Sequence, residues 1–116
     1  MSNNELVSVV IPCFNDKDYI VETLNSVINQ TYKNIEIIIV DDGSDEKTKQ
    51  CLRMLSSEKV QIISQGNKGL SAARNTGFRV AKGEYVLTID SDDTVESKFL
   101  EKATLLLNKN DILGAV

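Results

Sequence analysis

Short apolar runs rich in β-branched residues alternate with segments of helical periodicity, and this alternation limits the fold more than any other feature of the chain. Each of the first four runs has the length of a buried strand, and a fifth begins near the chain end. The predicted strands cover residues 7–11, 35–40, 60–64, 85–89 and 112–116. Strands that alternate with helices favour a parallel sheet with right-handed connections. We therefore expect the α/β class: a Rossmann-like, doubly wound, mainly parallel sheet with helices on both faces.

The segments between the strands predict four amphipathic helices. The first buries a face formed by Ile20, Leu24, Val27 and Ile28. The second buries Cys51, Leu52 and Leu55. The third has a mostly small face that can lie close to the sheet, formed by Leu70, Ala73, Gly77 and Ala81. The fourth runs from 97 to 107 and buries Phe99, Leu100, Ala103, Leu106 and Leu107. We expect Asp45 to cap the second helix and Gly83 to end the third.

The 116 residues fit one domain, and 41% hydrophobic with 26% charged residues is the composition of a folded globular protein. The net charge of −4 offers no basic surface to nucleic acid or to an anionic membrane. The first residues lack the features of a secretory signal, and no apolar run approaches the ~18 residues of a membrane span. We expect a cytoplasmic location, with the longer protein peripheral at the inner face of the membrane. The last strand stops without a turn, which predicts that the single domain 1–116 is truncated at its C-terminus.

The chain contains no histidine, so acid–base or metal chemistry must use carboxylates. In open parallel sheets, ligands bind outside the carboxyl ends of the strands, near the point where strand order reverses. Polar loops follow four of the predicted strands, at residues 12–15, 41–45, 65–69 and 90–93. We expect these loops to converge on one crevice that holds the functional residues.

An acidic turn follows the fourth predicted strand. Asp90, Ser91 and Asp92 form a D-x-D pattern, and Asp93 adds a third carboxylate. Carboxylate oxygens are ligands that Mg²⁺ and Mn²⁺ prefer, and a bound cation could neutralise a diphosphate leaving group. The alternative is a solvated turn in which Asp93 or Ser97 caps the next helix.

Other polar residues at the strand ends have a similar ambiguity. The carboxylates of Asp41 and Asp42 could accept from a nucleobase or a ribose, although aspartate is also common in turns. Arg74 could pair with a phosphate through its fixed donors, although a helical arginine is more often solvated. Taken one at a time, these residues leave both alternatives open.

Taken in order, the segments resemble the N-terminal half of family 2 glycosyltransferases, which have the GT-A fold. Residues 7–15, VSVVIPCFN, are similar to that family's opening strand and its P-x-[YF]-N turn. Residues 30–44 contain its Q-T-Y segment and its V-D-D-G-S strand end. Residues 67–77, NKGLSAARNTG, match N-x-G-x-[SA]-x-A-R-N-x-G, and residues 83–85, GEY, precede the D-x-D strand. The resemblance covers about residues 7–100.

The resemblance implies a donor site and a metal site in this chain. The residues that it assigns to the donor are Pro12, Phe14, Asn15, Asp42, Gly69, Arg74, Asp90 and Ser91. Asp42 would contact the base, and Arg74 would lie by the base and the diphosphate. Asp90 would support the ribose or the donor sugar. Asp92 and Asp93 would hold Mn²⁺ or Mg²⁺.

The resemblance also implies a reaction. A sugar would pass from a nucleoside diphosphate sugar, with UDP favoured, to a glycan or lipid-linked acceptor in bacterial polysaccharide or cell-surface glycan synthesis. In the inverting members a carboxylate further along the chain deprotonates the acceptor, and no residue here matches it, so the catalytic base is expected beyond Val116. The exposed edge of a truncated sheet predicts an edge-strand homodimer of this fragment. No nucleic-acid partner is expected.

Two other classes fit parts of the chain. Residues 89–94, IDSDDT, fit the D-x-D-x-T motif of haloacid-dehalogenase-like phosphotransferases, in which Asp90 would be the nucleophile. That family carries the motif on its first core strand, whereas here it follows the fourth. A receiver-like or other non-catalytic nucleotide-binding module would use Asp41 and Asp42, but no aspartate follows the third strand as a receiver requires.

Overall fold

The computed structural model describes residues 4–106 and the backbone of 112–115, and these form a five-stranded parallel sheet with four helices. The strands are Val7–Cys13 (β1), Ile35–Asp42 (β2), Val60–Gln65 (β3), Tyr85–Ile89 (β4) and Ile112–Ala115 (β5). The helices are Ile20–Ile28 (α1), Glu46–Arg53 (α2), Leu70–Val80 (α3) and Phe99–Leu106 (α4). In the described part of the chain, no helix has the length and apolar character needed to cross a bilayer.

The strand order is β3-β2-β1-β4-β5, and every neighbouring pair is parallel. The chain builds outward from β1 through β2 to β3, and β4 then pairs with the opposite edge of β1. Strand order therefore reverses between β1 and β4, which is where open α/β sheets bind their ligands. The predicted doubly wound, parallel α/β class is confirmed.

Helices cover both faces of the sheet. All seven residues of β1 are buried, as expected for a strand that is covered on both sides. One face packs against α1, α2 and α4, with Leu24, Leu52 and Leu100 in its core. The other face packs against α3, where Ile38 and Val40 meet Ala73.

The close packing of α3 on the sheet depends on a glycine. Ala73 and Gly77 are the buried residues of this helix, and a Cβ at Gly77 would lie 2.3 Å from Val10 Cγ1. That distance is far inside van der Waals contact, so any larger residue would push the helix away from β1. The prediction of a small helix face next to the sheet is confirmed at these two positions.

Some residues predicted to face inward are exposed instead. Ile28 and Leu70 are exposed, and Leu106 has 86% of its surface accessible. Ile28 lies about 80° around the helix from Ile20, which turns its side chain away from the sheet. Leu70 and Leu106 are the first and last residues of their helices, beyond the part that the sheet covers. Leu107 lies outside the described residues.

Two helix boundaries differ from the prediction. Helix α3 ends at Val80 with Ala81 as its C-cap, so Gly83 does not end it. Gly83 lies against β1 instead: its N–H donates to Ser8 Oγ at 2.8 Å, and a Cβ there would come within 2.6 Å of the Ser8 nitrogen. Helix α4 begins at Phe99 and not at Ser97. The predicted cap of α2 is confirmed, because the Asp45 carboxylate accepts from Thr48 N–H at 2.9 Å.

Candidate functional site

The predicted site residues lie at the carboxyl ends of β1, β2 and β4 or around the start of α3. Asp90, Asp92 and Asp93, here termed the acidic triplet, follow β4 directly. One carboxylate oxygen from each lies within 4.8 Å of the others, and Asp93 N–H donates to Asp90 C=O at 3.0 Å to close the turn. A set of three carboxylate oxygens fits the preference of Mg²⁺ or Mn²⁺ for hard ligands that leave room for water and phosphate. The residues present therefore fit the predicted cation.

Ser91, at the centre of the D-x-D pattern, points into the protein. Its side chain is buried, and its Oγ donates to the Asp16 carboxylate. Its C=O accepts a hydrogen bond from Thr23 Oγ1 at 2.8 Å. The central residue is thus held at both its backbone and its side chain, while Asp92 beside it is exposed.

An ion pair connects α3 to the acidic triplet. Arg74 Nη2 lies 3.1 Å from Asp90 Oδ1, and both side chains are partly exposed. A pair that is this accessible contributes little to stability. Its geometry instead places a guanidinium, with further donors to spare, beside the proposed cation ligands.

Asp42 holds the loop that leads into α3. Its side chain is only 2% exposed, and its two oxygens accept from Lys68 N–H at 2.8 Å, Gly69 N–H at 3.0 Å and Gln65 Nε2 at 2.9 Å. Burial alone would raise the pKa of Asp42, but these hydrogen bonds outweigh it and hold the pKa below its usual value. The predicted contact of Asp42 with a nucleobase stays a prediction, and the structure gives this carboxylate a loop-holding role besides.

The same loop is fixed from the helix side. Gln65 Oε1 accepts from Thr76 Oγ1 at 2.7 Å, so that Gln65 bridges α3 and Asp42. Gly69 is the N-cap of α3 and has φ of 98°, a conformation that L side chains rarely adopt. The start of α3, and with it Arg74, is therefore located by Asp42.

Asn15 connects the ends of β1 and β2. Its N–H donates to Ser44 Oγ at 3.0 Å, and its Oδ1 accepts from Asp45 N–H at 2.7 Å. It has φ of 56°, which asparagine tolerates better than most residues. Of the other two predicted residues on this segment, Pro12 is buried in β1 and Phe14 is partly exposed just beyond its end.

Asp41 is fully engaged within the protein. Its oxygens accept from Ser44 N–H at 2.9 Å and from Lys49 Nζ at 2.8 Å. Burial raises the pKa of Asp41, but the bonds from Lys49 and Ser44 outweigh that effect, and the pKa lies below its usual value. The two neighbouring aspartates therefore brace different loops, Asp41 the one after β2 and Asp42 the one before α3.

Several residues that shape the site were not among the predicted site residues. They are Asp16, Thr23, Ser26, Gln30 and Gln65. One signal was available for Thr23: it falls on the helix face that also carries Ile20 and Val27, where an apolar residue is expected. A polar residue on such a face needs a buried partner.

The comparisons with known proteins agree with the fold and with the family resemblance. The model of the family described as glycosyl transferase family 2 matches residues 8–116. The chain is 45% identical over 101 residues to the glycosyltransferase GlyG of Streptococcus pneumoniae serotype 4, covering 84% of this chain and 34% of GlyG. The chain thus spans about a third of the length of this relative.

Two solved structures show the same architecture. S. aureus TarS in complex with UDP-GlcNAc matches with a TM-score of 0.78 at 31% identity, over 85% of this chain and 30% of that one. The mannosyltransferase PcManGT of Pyrobaculum calidifontis, in complex with GDP-Man and Mn²⁺, matches with a TM-score of 0.73 at 26% identity, over 80% of this chain and 29% of that one. In both cases the chain covers less than a third of the solved protein's length.

Proposed function

Because the chain belongs to glycosyl transferase family 2, we propose that the complete protein transfers a sugar from a nucleoside diphosphate sugar to a glycan or lipid-linked acceptor, and that this chain binds the donor. The observation that carries the proposal is the ion pair between Arg74 and Asp90 at the switch point, beside two further carboxylates. A cation-binding turn and a guanidinium at one place suit a diphosphate. The donor would therefore bind across the ends of β1 and β4.

We assign the cation to the acidic triplet, with Asp92 and Asp93 as its ligands and Asp90 beside them. When bound, Mn²⁺ or Mg²⁺ would neutralise the charge that develops on the departing nucleoside diphosphate. Arg74 has donors that Asp90 does not use, and these would contact a phosphate oxygen. Asp90 keeps one oxygen outside its ion pair, and it would accept from a hydroxyl of the ribose or the sugar.

The nucleotide base would lie between the loops after β1 and β2, near Asn15 and Asp42. The hydrogen bonds that join these two loops support this placement, because loops that are already fixed lose less entropy on binding. UDP is the favoured nucleotide, since UDP-GlcNAc is the ligand in the TarS structure. GDP is the competing choice, since PcManGT was solved with GDP-Man.

We propose that acceptor binding and the general base belong to the part of the longer protein that this chain does not span. The chain covers about a third of GlyG, which supports the division. Donor binding without turnover is therefore the activity proposed for these 116 residues.

Titration calorimetry with UDP and with GDP, each with and without Mn²⁺, tests the proposal. We expect weak binding of one nucleotide that Mn²⁺ strengthens, because the residues that we propose for the base, the diphosphate and the cation all belong to this chain. Circular dichroism on the same sample verifies the fold. No heat for either nucleotide from folded protein, with or without Mn²⁺, would contradict the proposed donor site.

A further inference from the structure

Three polar residues, Thr23 and Ser26 on α1 and Gln30 two residues beyond its end, are here termed the polar stripe. Thr23 and Ser26 are three residues apart and are therefore neighbours on the helix surface. Thr23 and Gln30 are buried and Ser26 is half-buried. Buried polar groups require partners, so this stripe must bind something inside the protein.

The partner of the stripe is the connection 90–98 between β4 and α4, together with the first turn of α4. Thr23 Oγ1 donates to Ser91 C=O at 2.8 Å, and Ser26 Oγ accepts from Val95 N–H at 3.3 Å. Gln30 makes two bonds to this segment: Nε2 donates to Glu96 C=O at 2.7 Å, and Oε1 accepts from Leu100 N–H at 2.9 Å. The stripe thus follows the connection from the acidic triplet to the start of α4.

The connection has neither strand nor helix of its own to fix it, since β4 ends at Ile89 and α4 begins at Phe99. Its position therefore depends on the groups that it binds, among them the three residues of the polar stripe. Leu100 N–H is in the first turn of α4, where helical N–H groups lack partners within the helix, and Gln30 supplies one. The partner of Leu100 N–H is therefore Gln30, and not Asp93 or Ser97, the two residues that the sequence offered as caps of this helix.

Thr23 is the member of the stripe that reaches the acidic triplet. It binds the backbone of the residue between Asp90 and Asp92, and its β-branched side chain has few rotamers in a helix. We propose that Thr23 is a positioning residue for the divalent cation: by binding the C=O of Ser91 it holds the neighbouring carboxylates in place without touching the ion. This inference rests on the cation site of the proposed function. Removing a group that holds a metal ligand in place commonly weakens metal binding roughly 10–100-fold.

Thr23→Val tests this inference, because valine keeps the shape of threonine and removes the hydroxyl. Binding of Mn²⁺ alone to the chain is followed by the electron paramagnetic resonance signal of the free ion. We expect Thr23→Val to weaken Mn²⁺ binding roughly tenfold. Thr23→Ser keeps the hydroxyl and is expected to restore binding to within about twofold of the original chain.

Thr88→Val is the matched control. Thr88 lies on β4, two residues before the acidic triplet, and its Oγ1 is buried without a hydrogen-bond partner among residues 4–106. The same chemical change there removes no bond to the connection. We expect Mn²⁺ affinity in Thr88→Val to equal that of the original chain.

Unchanged Mn²⁺ affinity in folded Thr23→Val would overturn the inference and leave the proposed donor site standing. If Thr23→Val does not fold, Ser26→Ala decides, because it removes the acceptor for Val95 N–H one turn further along the stripe. A loss of Mn²⁺ affinity in Ser26→Ala with unchanged melting temperature supports the inference, and no loss overturns it. Absence of Mn²⁺ binding by the original chain would overturn the cation site, and this inference with it.

Discussion

The Asp42 carboxylate accepts a hydrogen bond from Gly69 N–H at 3.0 Å, and Gly69 in turn has the positive φ with which α3 begins. The carboxylate also binds Lys68 N–H and Gln65, so one side chain at the end of β2 determines where α3 starts. Because Arg74 lies on α3, the position of the guanidinium depends on Asp42. A residue predicted to contact the ligand therefore also organises the site around it.

Replacing Asp42 with asparagine should lower the free energy of unfolding by about 1–3 kcal/mol, because the amide turns one acceptor oxygen into a donor that faces a backbone N–H. Urea denaturation measures the change. Asp92→Asn is the control, since this exposed carboxylate should alter stability by no more than about 0.5 kcal/mol. Equal effects of the two substitutions would contradict the loop-holding role.

Stability should fall in acid because the folded-state pKa values of Asp41 and Asp42 lie below the ordinary 3.8. A carboxyl whose folded pKa is lowered stabilises the protein fully above its unfolded pKa, and this stabilisation is lost as the pH falls through the folded value. Urea midpoints should be constant from pH 7 to about 5 and should decline as the pH drops below 3.8.

The Asp41→Asn variant checks the origin of this acid sensitivity. It removes one of the two carboxylates and should show a shallower decline below pH 3.8 from a lower starting stability at pH 7. An identical pH dependence in the variant would exclude Asp41 as a source.

Asp92→Ala should abolish the strengthening of nucleotide binding by Mn²⁺ and leave stability nearly unchanged, because an exposed carboxylate contributes little to the core. Calorimetry with and without Mn²⁺ measures the first effect, and thermal melting measures the second. If Mn²⁺ strengthens nucleotide binding equally in the variant, Asp92 is not a required ligand of the cation, and Asp90 or Asp93 binds it instead.

Gly77→Ala should destabilise the protein by about 1–3 kcal/mol, because the added methyl group would overlap Val10 where α3 crosses β1. Gly66→Ala is the matched control: a Cβ there meets no atom within 4 Å, and its φ is not positive. The control should keep or slightly raise the melting temperature. A Gly77→Ala protein as stable as the control would show that α3 shifts without cost.

The fold was predictable because its signals are local. The mostly apolar run of β1 indicates a strand covered on both faces, and the small residues Ala73 and Gly77 indicate a helix packed closely against it. The acidic triplet was predictable for the same reason, since its members are neighbours in the chain. The family match then favours glycosyl transfer over the phosphotransferase and receiver alternatives.

The supporting contacts were not predictable, because their partners are backbone groups far away in the chain. Periodicity shows that Thr23 lies on the inner face of α1, but it cannot show that its partner is the C=O of Ser91. Gly83 was misread for a similar reason. It follows a helix, as a terminating glycine does, but close packing against Ser8 accounts for its presence.

Thr23 and Ser91 are 68 residues apart in the chain, and Gln30 and Leu100 are 70 apart. A chain that leaves the ribosome from its N-terminus completes α1 long before the groups that α1 binds have been made. Closing so long a loop costs entropy, and this cost is offset only when the contacts between the two segments have formed. We therefore expect the acidic turn to be among the last parts of the domain to assemble during synthesis, so that nascent chains ending before Leu100 hold no ordered place for a cation.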